Sequence, residues 1–268
     1  MTFDLPPPIQ HVPRTALREG AFQPGVRPVP EETAIAFVYD GVGEAVMMAT
    51  PTDLEDFAIG FSLTEGIIGA ASEIRSLAVL PSGPGVELRM SLTQARSEQA
   101  LKRRRLRAGP AGCGLCGVES LTQAMRPLPR VTSNVRIARD EVAEGMLRLS
   151  DTQSLNRQTQ ALHAAAFYGP QDGWIAVRED VGRHNALDKV AGALGRAGRD
   201  ADGLLLLTSR VSVELVQKAA MMGAPLLAAI SAPTALALRV AEEAGITVIG
   251  VVRGREMEIF THPERLRG

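Results

Sequence analysis

The hydrophobic pattern changes character halfway along the chain. In the first half, β-branched stretches between turn signals predict strands at 33–39, 44–49, 74–80 and 86–90. Between them, apolar residues at helical spacing predict a helix that begins at Thr52, with Glu55 completing a capping box, and ends near Gly66. The second half alternates both patterns. It predicts helices at 183–194, 213–222 and 234–244 and strands at 162–168, 174–178, 204–208, 226–230 and 247–252.

The strands of the second half are continuous apolar runs rather than alternating ones, as in residues 204–207. Such strands are covered by helices on both faces, so the pattern predicts an α/β sandwich with a partly parallel sheet. Ser212 and Ser231 precede helices and are candidate caps. The proline-rich residues 1–30 predict an extended arm, and prolines 127 and 129 indicate a boundary. We therefore expect a smaller α+β domain at 31–128 and an α/β domain at 129–268.

Composition narrows the functional classes. The 268 residues carry a net charge of -1 and are 4% aromatic, which argues against nucleic acid as a partner. No apolar run is long enough for a membrane helix, and the N-terminus lacks the apolar core of a secretory signal. The two cysteines lie three positions apart, which favours a reduced, cytoplasmic protein over a disulfide scaffold.

Both cysteines, Cys113 and Cys116, lie in the glycine-rich loop 112–117. Five basic side chains at 102–107 would favour the thiolate, and the glycines leave backbone N–H groups open to an anion. A sulfur-carrying persulfide is the leading interpretation. Three alternatives remain open for the cysteine pair. It could be half of a zinc site completed by a second chain or by His163 and His184, a thioredoxin-like redox pair, or a chemically inert pair.

Polar and small residues follow four predicted strands of the second half. They lie in the blocks 179–189, 208–210, 231–234 and 251–256. Because ligands of open α/β sheets bind at the carboxyl ends of the strands, these blocks predict one shared pocket for an anionic ligand. Arginines and helix N-termini there would suit phosphates. The candidate contacts are Arg183, His184, Ser209 and Arg210.

Together these blocks resemble the FdhD family, the sulfurtransferases needed for formate dehydrogenase activity. The matching segments are the cysteine loop 113–117, the blocks 179–189 and 208–210, the segment 53–61 and the C-terminal segment 261–266. The resemblance implies a cytidine-deaminase-like α/β fold for the C-terminal domain. It also implies a cytoplasmic homodimer that takes sulfur from a cysteine desulfurase and delivers it to the molybdenum cofactor of formate dehydrogenase. That cofactor, bis-molybdopterin guanine dinucleotide, would be a bound substrate, and no metal would be permanently bound.

The resemblance also assigns residues. The family's persulfide cysteine falls on Cys113 and its second cysteine on Cys116. The family's cofactor loop falls on Val251, Val252, Arg253, Gly254, Arg255 and Glu256. This chain departs from the family at two positions: some members carry Pro-Gly in this loop, where this chain has Gly254 between Arg253 and Arg255, and a glycine is common where this chain has Gln160.

Two other functions fit part of the pattern. The first is a non-enzymatic insertion chaperone that binds the cofactor and uses its cysteines only as a redox or zinc-binding clip. The second is a nucleotide deaminase on the same fold. Residues 262–264 spell the H-x-E of zinc deaminases, but they follow the cysteine pair instead of preceding it, which disfavours that reading.

Overall fold

A computed structural model describes residues 5–98 and 127–268 of the chain. The cysteine loop and the basic run 102–107 lie outside the described residues. The sequence at 94–107 has the polar composition of an exposed helix, and the described part of this segment, residues 94–98, is helical. In this described part, no helix combines the length and apolar character needed to cross a membrane.

A long antiparallel hairpin occupies the proline-rich start of the chain. Its strands are β1 (Ile9–Arg18) and β2 (Ala21–Pro30). Glu19 and Gly20, both at positive φ, form the two-residue turn that suits a twisted hairpin. Both strands are edge strands, and a proline can occupy an edge without removing a bond from a central ladder. The sequence predicted an arm here but not its internal pairing.

The next unit is a four-stranded sheet packed on one helix. The strand order is β4 (Val42–Ala49), β3 (Thr33–Tyr39), β6 (Gly85–Leu92) and β5 (Ile74–Ser82). Burial alternates along β3, and its inward face packs on α1 (Leu54–Thr64). The ring of Phe37 lies 5.0 Å from that of Phe57 and 4.1 Å from that of Phe61. This aromatic cluster fixes the helix on the sheet.

The second half forms a six-stranded sheet. Its order is β13 (Glu256–Ile259), β12 (Thr247–Arg253), β11 (Leu226–Ala229), β10 (Leu204–Leu207), β8 (His163–Gly169) and β9 (Gly173–Asp180). The central strands β10, β11 and β12 are parallel, and their outer neighbours are antiparallel. Leu205 and Leu207 face one helical layer while Leu204 and Leu206 face the other. The predicted α/β sandwich with a partly parallel sheet is confirmed.

Helices cover both faces of this sheet. One face carries α4 (Arg183–Arg196), α5 (Val213–Met222) and α6 (Ala235–Ala244). The other carries α2 (Arg139–Thr152), which is followed by the short α3 (Ser154–Thr159). A small parallel pair, β7 (Ile137–Ala138) with β14 (Leu266–Arg267), completes the described strands. The hydrophobic pattern did not predict α2, α3, these two strands or β13.

The two sheets are joined by a close crossing of α1 and α4. A Cβ atom placed on Gly60 would lie 1.6 Å from the carbonyl oxygen of Asp188, and one on Gly192 would lie 1.7 Å from that of Asp56. The helices therefore touch backbone to backbone, which only glycine permits at these positions.

Three capping predictions are wrong. Helix α1 has Asp53 at its N-cap with φ of 52°, and the Asp53 side chain makes no capping bond, while the Thr52 hydroxyl accepts from Lys189 Nζ at 3.5 Å. Ser212 is the N-cap residue of α5, but its hydroxyl donates to the Glu214 carboxylate at 3.1 Å. Ser231 lies before the cap of α6. There the Thr234 hydroxyl accepts from the N–H of Ala237.

Candidate functional site

The strand ends singled out by sequence meet at one edge of the six-stranded sheet. We call it the carboxyl edge, formed by residues 180–184, 208–212, 230–234 and 251–253. Backbone bonds link its segments, from Ile230 N–H to Leu207 O at 3.1 Å and from Thr208 N–H to Ala164 O at 3.1 Å. Helices α4, α5 and α6 begin there. The parallel order of β10 to β12 therefore brings these segments, and three helix N-termini, to the same side.

Most charged residues of the block 179–189 serve the interior. Asp180 is fully buried, and its carboxylate accepts from Gly182 N–H at 2.8 Å and from Thr50 N–H at 3.1 Å. The ammonium of Lys189, also fully buried, lies 2.6 Å from the same carboxylate and donates to the Thr50 carbonyl at 2.9 Å. This pair ties the start of α4 to the end of β4, so it fastens one sheet to the other.

A second buried ion pair involves Asp188, the residue before Lys189 on the same helix. Lys218 Nζ of α5 contacts Asp188 at 2.9 Å, Glu65 at 2.9 Å and Thr64 Oγ1 at 3.1 Å. Burial alone would lower the pKa of Lys218, but the carboxylates of Asp188 and Glu65 outweigh it and raise that pKa. The charged pair links α1, α4 and α5 around the glycine crossing.

Two further carboxylates have structural partners. Glu179 accepts from the N–H groups of Leu155 and Asn156, at 3.0 and 2.7 Å, and so holds the start of α3. Asp56 is buried between two arginines, which contact it at 2.6 and 2.9 Å. Neither role was predicted from the sequence. For the buried ion pairs of α4, the sequence did contain a signal, because Asn185, Asp188 and Lys189 are spaced to share one face of a helix.

One arginine and two histidines remain at the carboxyl edge. Arg183 is the first residue of α4, and its buried Nε atom has no hydrogen-bond partner among the described residues. Burial, and then the charge of Arg183, lower the pKa of His163. The same two causes lower the pKa of His184 to about 4, although its Nε2 lies 3.1 Å from the exposed carboxylate of Glu214. The cluster thus offers one guanidinium and two imidazoles that favour the neutral form.

The loop 251–256 closes the far side of this edge. Val251 has a φ of 53°, which is strained for a β-branched residue, and the pairing register of β12 with β13 shifts there. Arg253 Nη1 donates to the Ile230 carbonyl at 2.5 Å, so its side chain lies on the edge. Arg255 is 83% exposed and lies 3.6 Å from Asp140 of α2. Gly254 provides the positive φ of the turn, and Val252 and Glu256 flank it.

The other predicted contacts are placed less favourably for binding. Ser209 is buried, and its hydroxyl donates to the Arg210 carbonyl at 3.2 Å. Arg210 is exposed. Cys113 and Cys116 lie outside the described residues. Within those residues, no three metal-ligating side chains converge. Arg183 and Arg253 are therefore the predicted residues that the carboxyl edge positions best for an anion.

Comparison with known proteins gives a consistent picture. The model of the FdhD/NarQ family matches residues 30–267. Curated relatives include proteins named sulfur carrier protein FdhD from Agrobacterium fabrum, 53% identical over 96% of both chains, and from Brucella abortus, 50% identical over 94% of both.

The fold also resembles that of a protein of known structure. It is the crystal structure of a candidate formate dehydrogenase accessory protein from Desulfotalea psychrophila. Its TM-score is 0.79, and the alignment covers 97% of this chain and 100% of that one at 23% identity. At that identity the likeness extends to the fold alone.

Proposed function

Since the chain belongs to the FdhD/NarQ family, we propose that it is a sulfur carrier in the maturation of formate dehydrogenase. The observation that carries the proposal is the 53% identity, across 96% of both chains, to a protein named as a sulfur carrier. The sulfur is held as a persulfide on Cys113, which makes the protein a sulfurtransferase. The donor is a cysteine desulfurase, and the acceptor is the molybdenum cofactor with two guanine dinucleotides.

The first transfer is an exchange at sulfur. The Cys113 thiolate attacks the outer sulfur of the donor's persulfide, a new S–S bond forms on Cys113, and the donor's cysteine thiolate leaves. No net oxidation occurs. The covalent intermediate divides one transfer between two proteins into two simpler steps. Attack of Cys116 on Cys113 would release hydrogen sulfide and leave a disulfide, which a cellular thiol then reduces.

The carboxyl edge suits the phosphates of the acceptor. Arg183 lies at the positive end of the helix dipole of α4, and both features favour an anion. Arg253 ends β12 on the far side of the same edge, and its side chain is held by the Ile230 carbonyl. The lowered pKa of His184 keeps its imidazole neutral, so it can accept or donate one hydrogen bond to guanine or ribose. We assign this edge to the guanine dinucleotide.

Calorimetric titration with GDP tests this assignment. We expect Arg253→Ala and Arg183→Gln each to weaken GDP binding about tenfold, which is about 1.4 kcal/mol. Arg75→Gln removes an exposed charge from β5 and serves as the control with unchanged affinity. Equal GDP affinity in all four proteins, or no binding by the unmodified chain, would rule out this site.

A further inference from the structure

A second concave site lies at the opposite end of the six-stranded sheet. It is a groove of about 710 Å³ between the segment 130–136 and residues Gly245, His262, Glu264 and Arg265. Gly245 precedes β12, so the groove lies at the amino end of that strand, away from the carboxyl edge. The segment 261–266 belongs to the FdhD resemblance, but the proposed sulfur chemistry gives it no role.

The groove is built on a fixed wall. Burial alternates along 130–137, so Val131 and Ile137 point inward while Arg130 and Arg136 point outward on one face. Val131 N–H donates to the Ala244 carbonyl at 2.8 Å, which anchors this segment to the end of α6.

Arg265 braces the two sides of the groove. Its Nη1 donates to the Gly245 carbonyl at 2.8 Å, and its Nε donates to the Ser133 carbonyl at 3.3 Å. Across the groove, His262 adopts a left-handed backbone conformation with φ of 47°, and its Nε2 lies 3.0 Å from the Glu242 carbonyl. The lining is therefore held in place before any ligand arrives.

The charge of the lining is positive. Arg130 and Arg136 are exposed, and neither has an ion pair or hydrogen bond with another described residue. Glu264 is the acidic residue of the lining, and its carboxylate lies 3.3 Å from His262 Nδ1. The lining thus contains three arginines and one carboxylate, and that carboxylate already contacts His262. Thr132 adds a hydroxyl donor and Asn134 an amide donor, whereas the Ser133 hydroxyl already donates to the Asp202 carboxylate.

We propose that this groove binds a phosphorylated small molecule, at a site separate from the proposed dinucleotide site. Its volume lies within the usual range of roughly 300–1,000 Å³ for small-molecule pockets. Guanidinium forks with hydroxyl and amide donors match the many acceptor oxygens of phosphate. Val131, the apolar residue of the lining, is buried, so the groove offers little to an apolar ligand or to a stacking base.

Calorimetric titration of the full chain with sodium pyrophosphate tests the proposal. We expect the double variant Arg130→Gln, Arg136→Gln to bind at least tenfold more weakly than the unmodified protein. Arg75→Gln should not change the affinity. Arg183→Gln alters only the carboxyl edge, so this variant should keep the pyrophosphate binding that the double variant loses. Thermal unfolding should show the double variant as stable as the parent, because the two side chains have no described partner.

Three results would overturn the proposal. The first is an unmodified protein that does not bind pyrophosphate, and the second is a double variant that binds it as tightly as the unmodified protein. The third is equal or tighter binding of a hexaglutamate peptide with the same loss in the double variant, which would identify a docking site for an acidic protein segment. Failure of GDP binding would sink the dinucleotide site but leave the pyrophosphate result unaffected, so the two proposals can fail separately.

Discussion

Replacing Gly60 by alanine tests how the two sheets are joined. Within an ordinary helix, replacing glycine by alanine stabilises the folded protein by about 1 kcal/mol, because alanine has the higher helix propensity. Here the new Cβ would begin 1.6 Å from the Asp188 carbonyl oxygen and would have to retreat to at least 3.0 Å. The obstacle is backbone rather than a flexible side chain, so α1 and α4 must move apart.

The cost follows from the bonds at this crossing. Separation stretches the 2.6 Å bond from Thr64 to Asp188 and the 3.1 Å bond from Lys218 to Thr64, both buried. Removing one partner from a buried charged pair costs about 3–5 kcal/mol, and we take this as the scale for losing these contacts. After the gain in helix propensity, we expect a net loss of about 3 kcal/mol and a thermal midpoint lower by about 6–12 °C.

Urea unfolding followed by circular dichroism measures this loss. Gly43→Ala is the control, because a Cβ at that exposed position meets no atom within 4 Å and its φ is not positive. We expect the control to change stability by less than about 0.5 kcal/mol. A Gly60→Ala protein as stable as the parent, or more stable, would refute the close crossing.

Two further predictions concern buried charges. His184 should titrate near pH 4 by NMR, because burial and Arg183 disfavour its charged form. In the unfolded chain His184 has its usual pKa of about 6.5, so the free energy of unfolding should be unaffected by His184 above that pH and should fall between about pH 6.5 and pH 4. This fall should be absent in His184→Gln, and titration of His184 near pH 6.5 would contradict the prediction. Lys189→Met should cost about 3–5 kcal/mol in urea unfolding, because it leaves the buried carboxylate of Asp180 without its cation. A loss under about 1 kcal/mol would contradict this, and would show that the N–H groups bonded to Asp180 stabilise its carboxylate without Lys189.

Local patterns predicted the strands and helices that follow a single rule of periodicity. Strand β3 and helix α5 have the predicted bounds, because apolar alternation and helical spacing are local properties. Helix α2 was missed, since its apolar stripe, including Val142, Met146 and Leu149, is set among charged residues. The hairpin at 9–30 was missed because its prolines resemble an unpaired arm. Its pairing depends on a partner strand rather than on local sequence.

The gathering of the strand ends was also predictable, because parallel neighbours end at the same edge. Which charged residues of the block 179–189 are structural and which are open to a ligand was not predictable. Whether Asp188 or Arg183 meets a ligand depends on the packing of α1 against α4, which no local pattern encodes. Binding chemistry was assigned to the whole block, while the structure uses most of its charges to join the sheets.

Sulfur on Cys113 is the central claim, and mass spectrometry tests it most directly. The full chain is incubated with a cysteine desulfurase and free cysteine, then digested without reductant. We predict an addition of about 32 Da on the peptide of Cys113, present in Cys116→Ala and absent in Cys113→Ala. An adduct that survives Cys113→Ala but disappears in Cys116→Ala, or no adduct at all, would contradict the account.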